Sequence, residues 1–367
     1  MKILHIYKDY YPVVGGMENH IRMLAEGAAK RGLDVTVLVT SPTRRTETRE
    51  MKGVKVIKAG RLATLASTPL SSAMFLWVRR LKPDITHLHS PYPWGEMAHL
   101  MFGRSQTTVI TYQSDIVRQK NLLRLYHPFL ERVLARADGI IATSPQYIQS
   151  SPYLSQVANK CVAIPLGIDL ERFQKARTEE VRRLRSEYNP PLLLFVGILR
   201  YYKGLQYLIR AMRHVNARLL VVGSGPMAEE WQTLAVKLRL SDKVFFVGQH
   251  VDDLPAYYQA CDLFVFPSSH RSEAFGTVQV EAMVCGKAVI CTELGTGTSY
   301  VNIDGETGLV VPARDADALT EAINRLLSDE ARRGEMGEKG RKRAIQEFSH
   351  ETMIDRVLAL YRGLLQG

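Results

Sequence analysis

The stretch that decides the fold is DLFVFPSSHRSEAFGTVQVEAMVCG, residues 262–286. Its apolar start predicts a buried strand, and its second half, from Thr277, predicts a buried helix, so the segment is expected to run from strand through loop to helix. Glu273 lies in the loop just past the strand, and Glu281 lies one turn into the helix. Gly276 stands at the helix start, where it allows close backbone approach and leaves amide donors free for an anion.

The two carboxylates of this segment, eight residues apart, suit a sugar nucleotide. Their oxygens would accept hydrogen bonds from hydroxyl groups, while the amides of Gly276, Thr277 and Val278 would hold a phosphate. Because a carboxylate on an apolar helix face is costly to bury alone, Glu281 is expected to have a polar partner. The other interpretation is that Glu273 is an ordinary loop charge and that Glu281 only favours the helix N-terminus.

Working outward from this segment, short apolar runs alternate with amphipathic stretches such as MENHIRMLAEGAAKRG along the whole chain. The strand candidates are KILHI, DVTVLVT, VKVIK, DITHLH, TVITY, GIIAT and CVAIP in the first half, and LLLFVG, ARLLVVG, KVFFVG, DLFVFP, KAVICT and GLVVP in the second. This alternation predicts an α/β protein with two successive parallel sheets, each wound like a dinucleotide-binding fold.

The boundary between the two predicted domains lies near PLGIDLERF, residues 165–173, where a polar segment without periodicity follows the seventh strand. The domains would therefore span residues 1–168 and residues 169–349. The last helix, at about residues 350–367, follows a basic stretch and is expected to cross back to the first domain.

Composition limits the class of protein. The 367 residues are too many for one ordinary core, and 46% hydrophobic and 23% charged residues are typical of globular proteins in solution. No apolar run approaches the length of a membrane span, and the N-terminal residues are too polar for a signal peptide. The four cysteines lack zinc spacing, and three of them lie in predicted strands or helices, where they are expected to be reduced core thiols. These features predict a cytosolic protein.

The positive charge is confined to one half of the chain. Residues 1–168 hold 22 Lys and Arg against 11 Asp and Glu, a net charge of +11, whereas residues 169–367 hold 26 of each. Such asymmetry favours a polyanionic or membrane partner for the N-terminal half. No recognised nucleic-acid motif accompanies this charge, so no nucleic-acid partner is expected.

One segment of that half, residues 115–138, mixes basic and apolar side chains in the sequence DIVRQKNLLRLYHPFLERVLARAD. If its apolar positions bury into the domain at helix spacing, Arg118, Lys120 and Arg124 would face outward. Each basic residue near an anionic surface adds about 1 kcal/mol of attraction. The segment therefore predicts that the N-terminal domain docks on the inner face of the cell membrane, where a lipid-linked acceptor would be presented; the alternative is a soluble acceptor.

Ligands of parallel α/β sheets bind at the carboxyl ends of the strands. The first strand leads to Gly15 and Gly16, which would let the backbone approach a phosphate at a helix start, or would form a simple tight turn. His89 ends the strand DITHLH just before Ser-Pro and is placed for a ligand. Arg200 and Lys203 follow the strand LLLFVG and suit a diphosphate, with solvated surface charges as the alternative.

Two other motifs have simpler explanations than a cofactor. Gly223, Gly225 and Ala228 match the dinucleotide pattern G-x-G-x-x-A, but a proline interrupts the helical part and the next strand ends without an acid for a ribose. That motif is interpreted as a tight turn in preference to a nicotinamide site. Asp315 and Asp317 resemble a metal-binding D-x-D, but they precede an apolar-periodic run and are better explained as a helix N-cap with an acidic first turn.

Taken in order, five elements of the chain resemble the retaining GT-B glycosyltransferases of family 4. They are the glycine pair after the first strand, the histidine at a mid-domain strand end, the basic G-x5-K-G loop, the G-x-G-P turn and the E-x7-E segment. The resemblance spans nearly the whole chain and implies two Rossmann-like, doubly wound domains facing a central cleft. The stretches TYQSDIVRQK and ELGTGTSYVN are most similar to bacterial mannosyltransferases of O-antigen and exopolysaccharide assembly.

The resemblance implies roles for the residues that match the family's motifs. Glu281 would hold the nucleotide ribose, Glu273 would meet the sugar hydroxyls, and His89 would lie near the sugar and the reacting centre. The other donor-binding positions are Gly15, Gly16, Lys203, Gly223, Phe275, Gly276 and Thr277.

The chain departs from the family at three positions. Ile198 stands where the family usually has an Arg, and Arg200 is its candidate replacement. Gln113 stands where the acceptor motif commonly has a His. The sequence GTGTSYV replaces the frequent G-G-x-x-E.

The expected mechanism is electrostatic. Departure of a nucleoside diphosphate leaves negative charge on its β-phosphate, which Lys203, Arg200 and the helix start at Gly16 would stabilise without a metal or other cofactor. The resemblance implies a retaining, metal-independent transfer of a hexose, best matched by mannose from GDP-mannose, to a lipid-linked or saccharide acceptor. The alternatives are transfer of glucose or N-acetylglucosamine from a UDP-sugar to a lipid or small metabolite, and an NAD-dependent oxidoreductase.

Overall fold

The computed structural model describes residues 1–13, 15–65, 68–113, 115, 120–175, 178–249 and 253–366. The chain forms two compact units, each considered by itself. Unit 1 comprises Met1–Gly167 with His350–Gly367, and unit 2 comprises Ile168–Ser349.

Unit 1 is built on one large sheet. Its strands are β1 (Lys2–Ile6), β2 (Asp34–Thr40), β3 (Glu47–Met51), β4 (Val54–Ala59), β5 (Ala63–Leu65), β6 (Thr68–Leu70), β7 (Ile85–Ser90), β8 (Thr107–Tyr112), β9 (Gly139–Ala142) and β10 (Cys161–Ala163). The sheet order is β10-β9-β8-β7-β1-β2-β4-β3, and each pair is parallel except β3 with β4; β5 and β6 form a separate antiparallel hairpin.

The helices of unit 1 cover the faces of that sheet. They are α1 (Gly16–Lys30), α2 (Ser72–Arg80), α3 (Pro93–Phe102), α4 (Lys120–Arg136), α5 (Pro145–Ser150) and, from the C-terminus, α15 (His350–Gln366), with a 3₁₀ segment at Leu154–Lys160. The guanidinium of Arg31, just after α1, donates to Glu351 at 2.5 Å and to Asp355 at 2.9 Å. The last helix is therefore tied to the first.

Unit 2 has a single parallel sheet. Its strands are β11 (Leu192–Val196), β12 (Arg218–Val222), β13 (Val244–Gly248), β14 (Leu263–Phe266), β15 (Val289–Glu293) and β16 (Gly308–Pro312), in the order β13-β12-β11-β14-β15-β16. Its helices are α6 (Glu171–Gln174), α7 (Thr178–Tyr188), α8 (Leu205–Ala211), α9 (Ala228–Lys237), α10 (Leu254–Ala260), α11 (Thr277–Val284), α12 (Thr298–Val301), α13 (Ala316–Ser328) and α14 (Glu330–Glu347). This is the 3-2-1-4-5-6 order of a doubly wound sheet.

Continuous apolar runs form the central strands because helices bury both faces of a parallel sheet. Every residue of β11 is buried, and the core of unit 2 extends from it to Trp231 and to α13. In each unit the chain reverses its winding direction beside the first strand, between β1 and β7 and between β11 and β14. A crevice opens at such a point, and ligands bind there.

The predicted pair of parallel sheets is confirmed, and each of the thirteen strand candidates overlaps a strand of those sheets. Three further strands, β3, β5 and β6, were not predicted. The sequence of β3, ETREM, is polar and largely exposed because it lies at the sheet edge, so it has no apolar run to reveal it. The basic residues Arg118, Lys120 and Arg124 of the predicted membrane segment lie outside the residues whose side chains the structure describes.

Candidate functional site

A buried ion pair joins the loops after β11 and β14. The ammonium of Lys203 donates to Oε2 of Glu273 at 2.5 Å, and each residue is 9% exposed. Ser268 donates to the same oxygen at 3.2 Å, and the ring of Phe266 lies 5.0 Å below the ammonium. Two residues 70 positions apart meet because β11 and β14 are neighbours in the sheet.

The N-terminus of α11 begins at a glycine that no other residue could easily replace. Gly276 has φ +81°, and a Cβ there would lie 2.5 Å from the ring of Phe266. Phe275 is 2% exposed and packs edge-on against Phe348 at 5.8 Å. The amides of Gly276 and Thr277 thus belong to the first turn of α11, where backbone N–H groups have no partner within the helix.

Gln279, in the first turn of α11, holds the start of this helix in place through its side-chain amide. Its amide nitrogen donates to the carbonyl of Phe275 at 3.2 Å and to that of Thr298 at 3.3 Å. Gln279 is fully buried, and within the described residues its Oε1 has no hydrogen-bond partner. Its role could not be predicted from the sequence, because one of its two contacts is to Thr298, the first residue of α12, nineteen positions away.

Glu281 has the polar partner that its place on an apolar helix requires. The hydroxyl of Tyr258 on α10 donates to Oε2 of Glu281 at 2.7 Å. Burial raises the pKa of Glu281 above the ordinary value of a carboxyl, while the Tyr258 hydrogen bond and the positive charges of Arg172 and Lys203 act in the opposite direction. Tyr258 itself carried no signal in the sequence beyond an apolar helical pattern.

The glycine loops after β11 and β12 press against one another. A Cβ on Gly223, which has φ +142°, would lie 2.0 Å from the carbonyl oxygen of Gly197, and a Cβ on Gly225 would lie 2.7 Å from the backbone of Leu199. These glycines are therefore explained by close backbone packing. In the same loop Ile198 is 50% exposed and Arg200 is exposed, so Arg200 is accessible to a ligand of unit 2.

In unit 1 the glycine pair begins α1 at the carboxyl end of β1. Gly15 is the N-cap in an extended conformation, and a Cβ there would overlap the carboxylate of Glu18. A Cβ on Gly16 would meet no atom of the described residues within 4 Å. The helix start at Gly16 is thus open to an approaching group.

His89 lies in a buried cluster rather than on an exposed strand tip. Its Nε2 is 3.1 Å from Nδ1 of His5, its ring stacks on His87 at 4.3 Å, and His20 meets it edge-on at 5.8 Å. His89 is 1% exposed. His87 and His89 alternate along β7 and so lie on the same face of the strand, whereas His5 from β1 and His20 from α1 join them only through the fold.

Desolvation keeps this cluster neutral. It lowers the pKa of His5 to about 3 and that of His20 to about 4, and it holds those of His87 and His89 well below the usual value, with repulsion between the rings as a lesser cause except at His20. Among the described residues, five ring nitrogens of unit 1 histidines have no hydrogen-bond partner: Nε2 of His5, both nitrogens of His20, Nδ1 of His89 and Nδ1 of His99.

Three of these histidines are close enough to share a metal ion, since His5, His87 and His89 each offer a nitrogen within 4.8 Å of the others. However, both nitrogens of His87 already have partners, the hydroxyls of Tyr361 at 2.5 Å and Thr111 at 2.6 Å. A metal-bound histidine also normally donates its second N–H to an acceptor, and none is present for His5 or His89 among the described residues. We interpret the cluster as part of the core.

Asp315, the other metal candidate, is a helix cap. Its Oδ1 accepts from the amides of Asp317 at 3.0 Å and Ala318 at 2.9 Å. The predicted N-cap of α13 is therefore confirmed.

Comparison with known proteins links both parts of the chain to sugar transfer. Residues 14–172 match the family described as Glycosyltransferase Family 4, and residues 176–343 match Glycosyl transferases group 1. The chain is 38% identical over 370 residues to the O-antigen chain mannosyltransferase C of Escherichia coli, covering 100% of both chains. It is 38% identical over 353 residues to the D-rhamnosyltransferase WbpZ of Pseudomonas aeruginosa, covering 95% of this chain and 92% of that one.

A solved structure shows the same fold over the whole chain. Sucrose-phosphate synthase from Thermosynechococcus elongatus superposes with a TM-score of 0.80 at 26% identity, covering 100% of this chain and 99% of that one.

Proposed function

The chain belongs to the family 4, group 1 glycosyltransferases and has the GT-B fold, and from this premise we propose that it is a retaining, metal-independent hexosyltransferase. Its proposed donor is GDP-mannose and its proposed acceptor a lipid-linked or saccharide chain in cell-surface glycan synthesis. The relative named as an O-antigen chain mannosyltransferase supports this choice, because the similarity extends over both complete chains. A second candidate, transfer of D-rhamnose, is favoured by the equally similar rhamnosyltransferase.

The single observation that carries the proposal is the convergence of Lys203, Glu273 and the start of α11 at the winding reversal of unit 2. A departing diphosphate would meet the ammonium of Lys203 and the amides of Gly276 and Thr277, which stabilise the developing charge. Glu273 has one oxygen held by Lys203 and Ser268. Its other oxygen is proposed to accept from the sugar hydroxyls.

The remaining site residues take roles in the same proposal. Glu281 is proposed to accept from the nucleotide ribose, with Tyr258 fixing its orientation. Arg200, exposed on the loop after β11, is proposed to replace the Arg missing at position 198. In unit 1, Gly16 is proposed to admit the phosphate, because a Cβ there would meet no described atom within 4 Å. The buried His89 is proposed to lie beneath the reacting centre near the end of β7. Gly15 and Gly223 shape the backbone around these positions.

The partners follow from the same roles. Unit 2 is proposed to bind the nucleotide sugar and unit 1 the acceptor. Among the described residues, no helix is both long and apolar enough to cross a bilayer. The excess positive charge of unit 1 supports peripheral attachment to an anionic membrane on its cytoplasmic face.

A melting screen against GDP-, UDP-, TDP- and ADP-sugars tests the donor. A ligand that binds only the folded protein raises the melting temperature. At a ligand concentration a hundred times its Kd, the free energy of unfolding increases by about 2.7 kcal/mol. GDP-mannose is expected to give the largest shift. A larger shift with a UDP-sugar would overturn the donor assignment, and the absence of any shift would overturn the proposed function.

The proposed roles of Glu281 and Glu273 can be told apart by measuring nucleotide affinity and turnover separately. Glu281→Ala should weaken binding of the free nucleotide, whereas Glu273→Ala should reduce turnover more than nucleotide affinity, each by about 1.5–3 kcal/mol for a lost charged hydrogen bond. Glu321→Ala removes an exposed carboxylate from α13 of the same unit and is the matched control. Wild-type transfer rates in both site variants would show that the site lies elsewhere.

A further inference from the structure

One segment of unit 1 combines large apolar side chains with basic ones and has no acid. Residues 60–82, GRLATLASTPLSSAMFLWVRRLK, contain three Arg and one Lys and neither Asp nor Glu. The segment includes the hairpin of β5 and β6 and the whole of α2. It lies outside residues 115–138, which the sequence alone singled out.

The fold turns much of this apolar surface outward. Leu62 is 58% exposed, Leu65 64% and Leu76 56%, whereas Met74 and Val78 on the opposite side of α2 are fully buried. Residues 74 and 78 are four positions apart and so share one face of the helix. This buried face anchors α2, and Leu76 lies on the opposite, exposed face. The hairpin that holds Leu62 and Leu65 and the helix that holds Leu76 both pack on α3, through β6 and α2. We refer to these three exposed leucines as the apolar patch.

The patch is held firmly to the body of unit 1. The indole N–H of Trp94 donates to the carbonyl of Ser71 at 2.9 Å, and the hydroxyl of Tyr92 donates to that of Pro69 at 3.2 Å. Phe75 packs edge-on against Trp94 at 5.2 Å. These contacts hold the hairpin and α2 against the start of α3. The leucines are therefore exposed in the folded protein itself.

Basic groups border the leucines. Arg79, Arg80 and Lys82 are exposed at the end of α2, and the guanidinium of Arg80 lies 5.9 Å from the ring centre of the half-buried Trp77. On the neighbouring helix α3, Met101 is 61% exposed and is followed by the exposed Arg104. Tryptophan beside arginine is typical of side chains at the boundary between lipid headgroups and hydrocarbon.

We propose that residues 60–65 and 68–82 form a docking surface for an anionic lipid bilayer, with Leu62, Leu65 and Leu76 entering the interface and Arg79, Arg80 and Lys82 contacting headgroups. An anionic bilayer satisfies both the apolar and the basic groups. A second copy of the chain would bring like charges together, because His350–Gly367 adds two residues of each sign and unit 1 keeps the net charge of +11. The inference deepens the proposed function, since it states how unit 1 would reach a lipid-linked acceptor.

Two triple variants test the surface by co-sedimentation with vesicles of phosphatidylcholine and phosphatidylglycerol, without donor or acceptor. Leu62→Ser/Leu65→Ser/Leu76→Ser removes the apolar part, and Arg79→Glu/Arg80→Glu/Lys82→Glu reverses the charge. Since each basic residue near an anionic surface contributes about 1 kcal/mol, the charge variant should bind at least roughly 100-fold more weakly. The wild-type protein should not sediment with pure phosphatidylcholine vesicles, and high salt should release it from the anionic ones.

The matched control lies on α9 and the turn after it in unit 2, where Val236 is 64% exposed beside the exposed Lys237 and Arg239. Val236→Ser/Lys237→Glu/Arg239→Glu should bind vesicles as the wild type does. Equal sedimentation of the wild type and both test variants would overturn the proposal. So would loss of binding only when Arg118, Lys120 and Arg124 are reversed. The donor-induced melting shift reports the proposed function separately, because neither triple variant alters a residue of the donor site.

Discussion

Lowering the pH from about 8 to about 5.5 should destabilise unit 1 through the four histidines buried at its centre. Burial keeps their rings neutral in the folded protein, with the pKa of His5 at about 3, that of His20 at about 4, and those of His87 and His89 well below the usual value. In the unfolded chain each ring returns to a pKa of about 6.5.

The sign follows from the difference between the two states. Because the folded pKa lies below the unfolded pKa, the unfolded chain binds more protons below about pH 6.5, and the free energy of unfolding falls as the pH falls. At about pH 5.5 each of the four contributes a loss of about 1.4 kcal/mol, together about 6 kcal/mol. Burial also lowers the pKa of His99 in the same unit to about 4, so this ring adds a fifth contribution of similar size. Burial raises the pKa of Glu96 in the same unit, so this carboxyl offsets part of the loss.

A loss of this size is most of the stability of an ordinary domain, which is about 5–15 kcal/mol. Urea titrations at several pH values, each followed by a brief hydrogen-exchange pulse at one fixed pH, would assign unfolding to peptides of β1 and β7 or of β11 and β12. Only the unit 1 peptides should lose protection at lower urea as the pH falls. In unit 2 the raised pKa of Glu281 acts in the opposite direction.

His20→Leu supplies an internal check on this reasoning. Both ring nitrogens of His20 lack partners among the described residues, so replacing the ring with leucine breaks no hydrogen bond and removes one of the five titrating histidines. The slope of unfolding free energy against pH, below about pH 6, should fall by about a fifth. A urea midpoint for unit 1 that does not change between about pH 8 and about pH 5.5, or an unchanged slope in His20→Leu, would refute the argument.

Five further outcomes are expected. Lys203→Met leaves the buried Glu273 without its cation and should cost about 3–5 kcal/mol in urea unfolding, most of it restored by adding Glu273→Gln; a loss no larger than for an exposed pair would contradict this. Gly276→Ala should weaken nucleotide binding in calorimetry, because its Cβ would lie 2.5 Å from the ring of Phe266, and a wild-type Kd would count against the site. Arg200→Ala should reduce transfer nearly as much as Lys203→Ala, and a near-silent variant would mean that the phosphate is neutralised elsewhere. Asp315→Ala should cost about 0.5–2 kcal/mol as a lost cap, and transfer should continue in excess EDTA; activity that needs added Mg²⁺ or Mn²⁺ would revive the aspartates as ligands.

Much of the fold could be predicted from the chain because its signals are local. Apolar runs of strand length, separated by amphipathic stretches, are enough to predict two parallel sheets. The cap at Asp315 and the need of Glu281 for a polar partner were also predictable, since each depends on a few neighbouring residues or on the cost of burying a carboxylate. The edge strand β3 could not be predicted, because an exposed strand needs no apolar residues.

The sequence by itself thus determined the α/β class, the strand–loop–helix at residues 262–286, and which residue types stand at the strand ends. Only the tertiary structure decided which of them meet. Lys203 reaches Glu273 because β11 lies beside β14, and His89 is buried because β1 and α1 bring His5 and His20 against it. The physical reason is range: periodicity acts over a few residues, whereas strand order and register join residues 70 or more positions apart, and neither is encoded in any short segment.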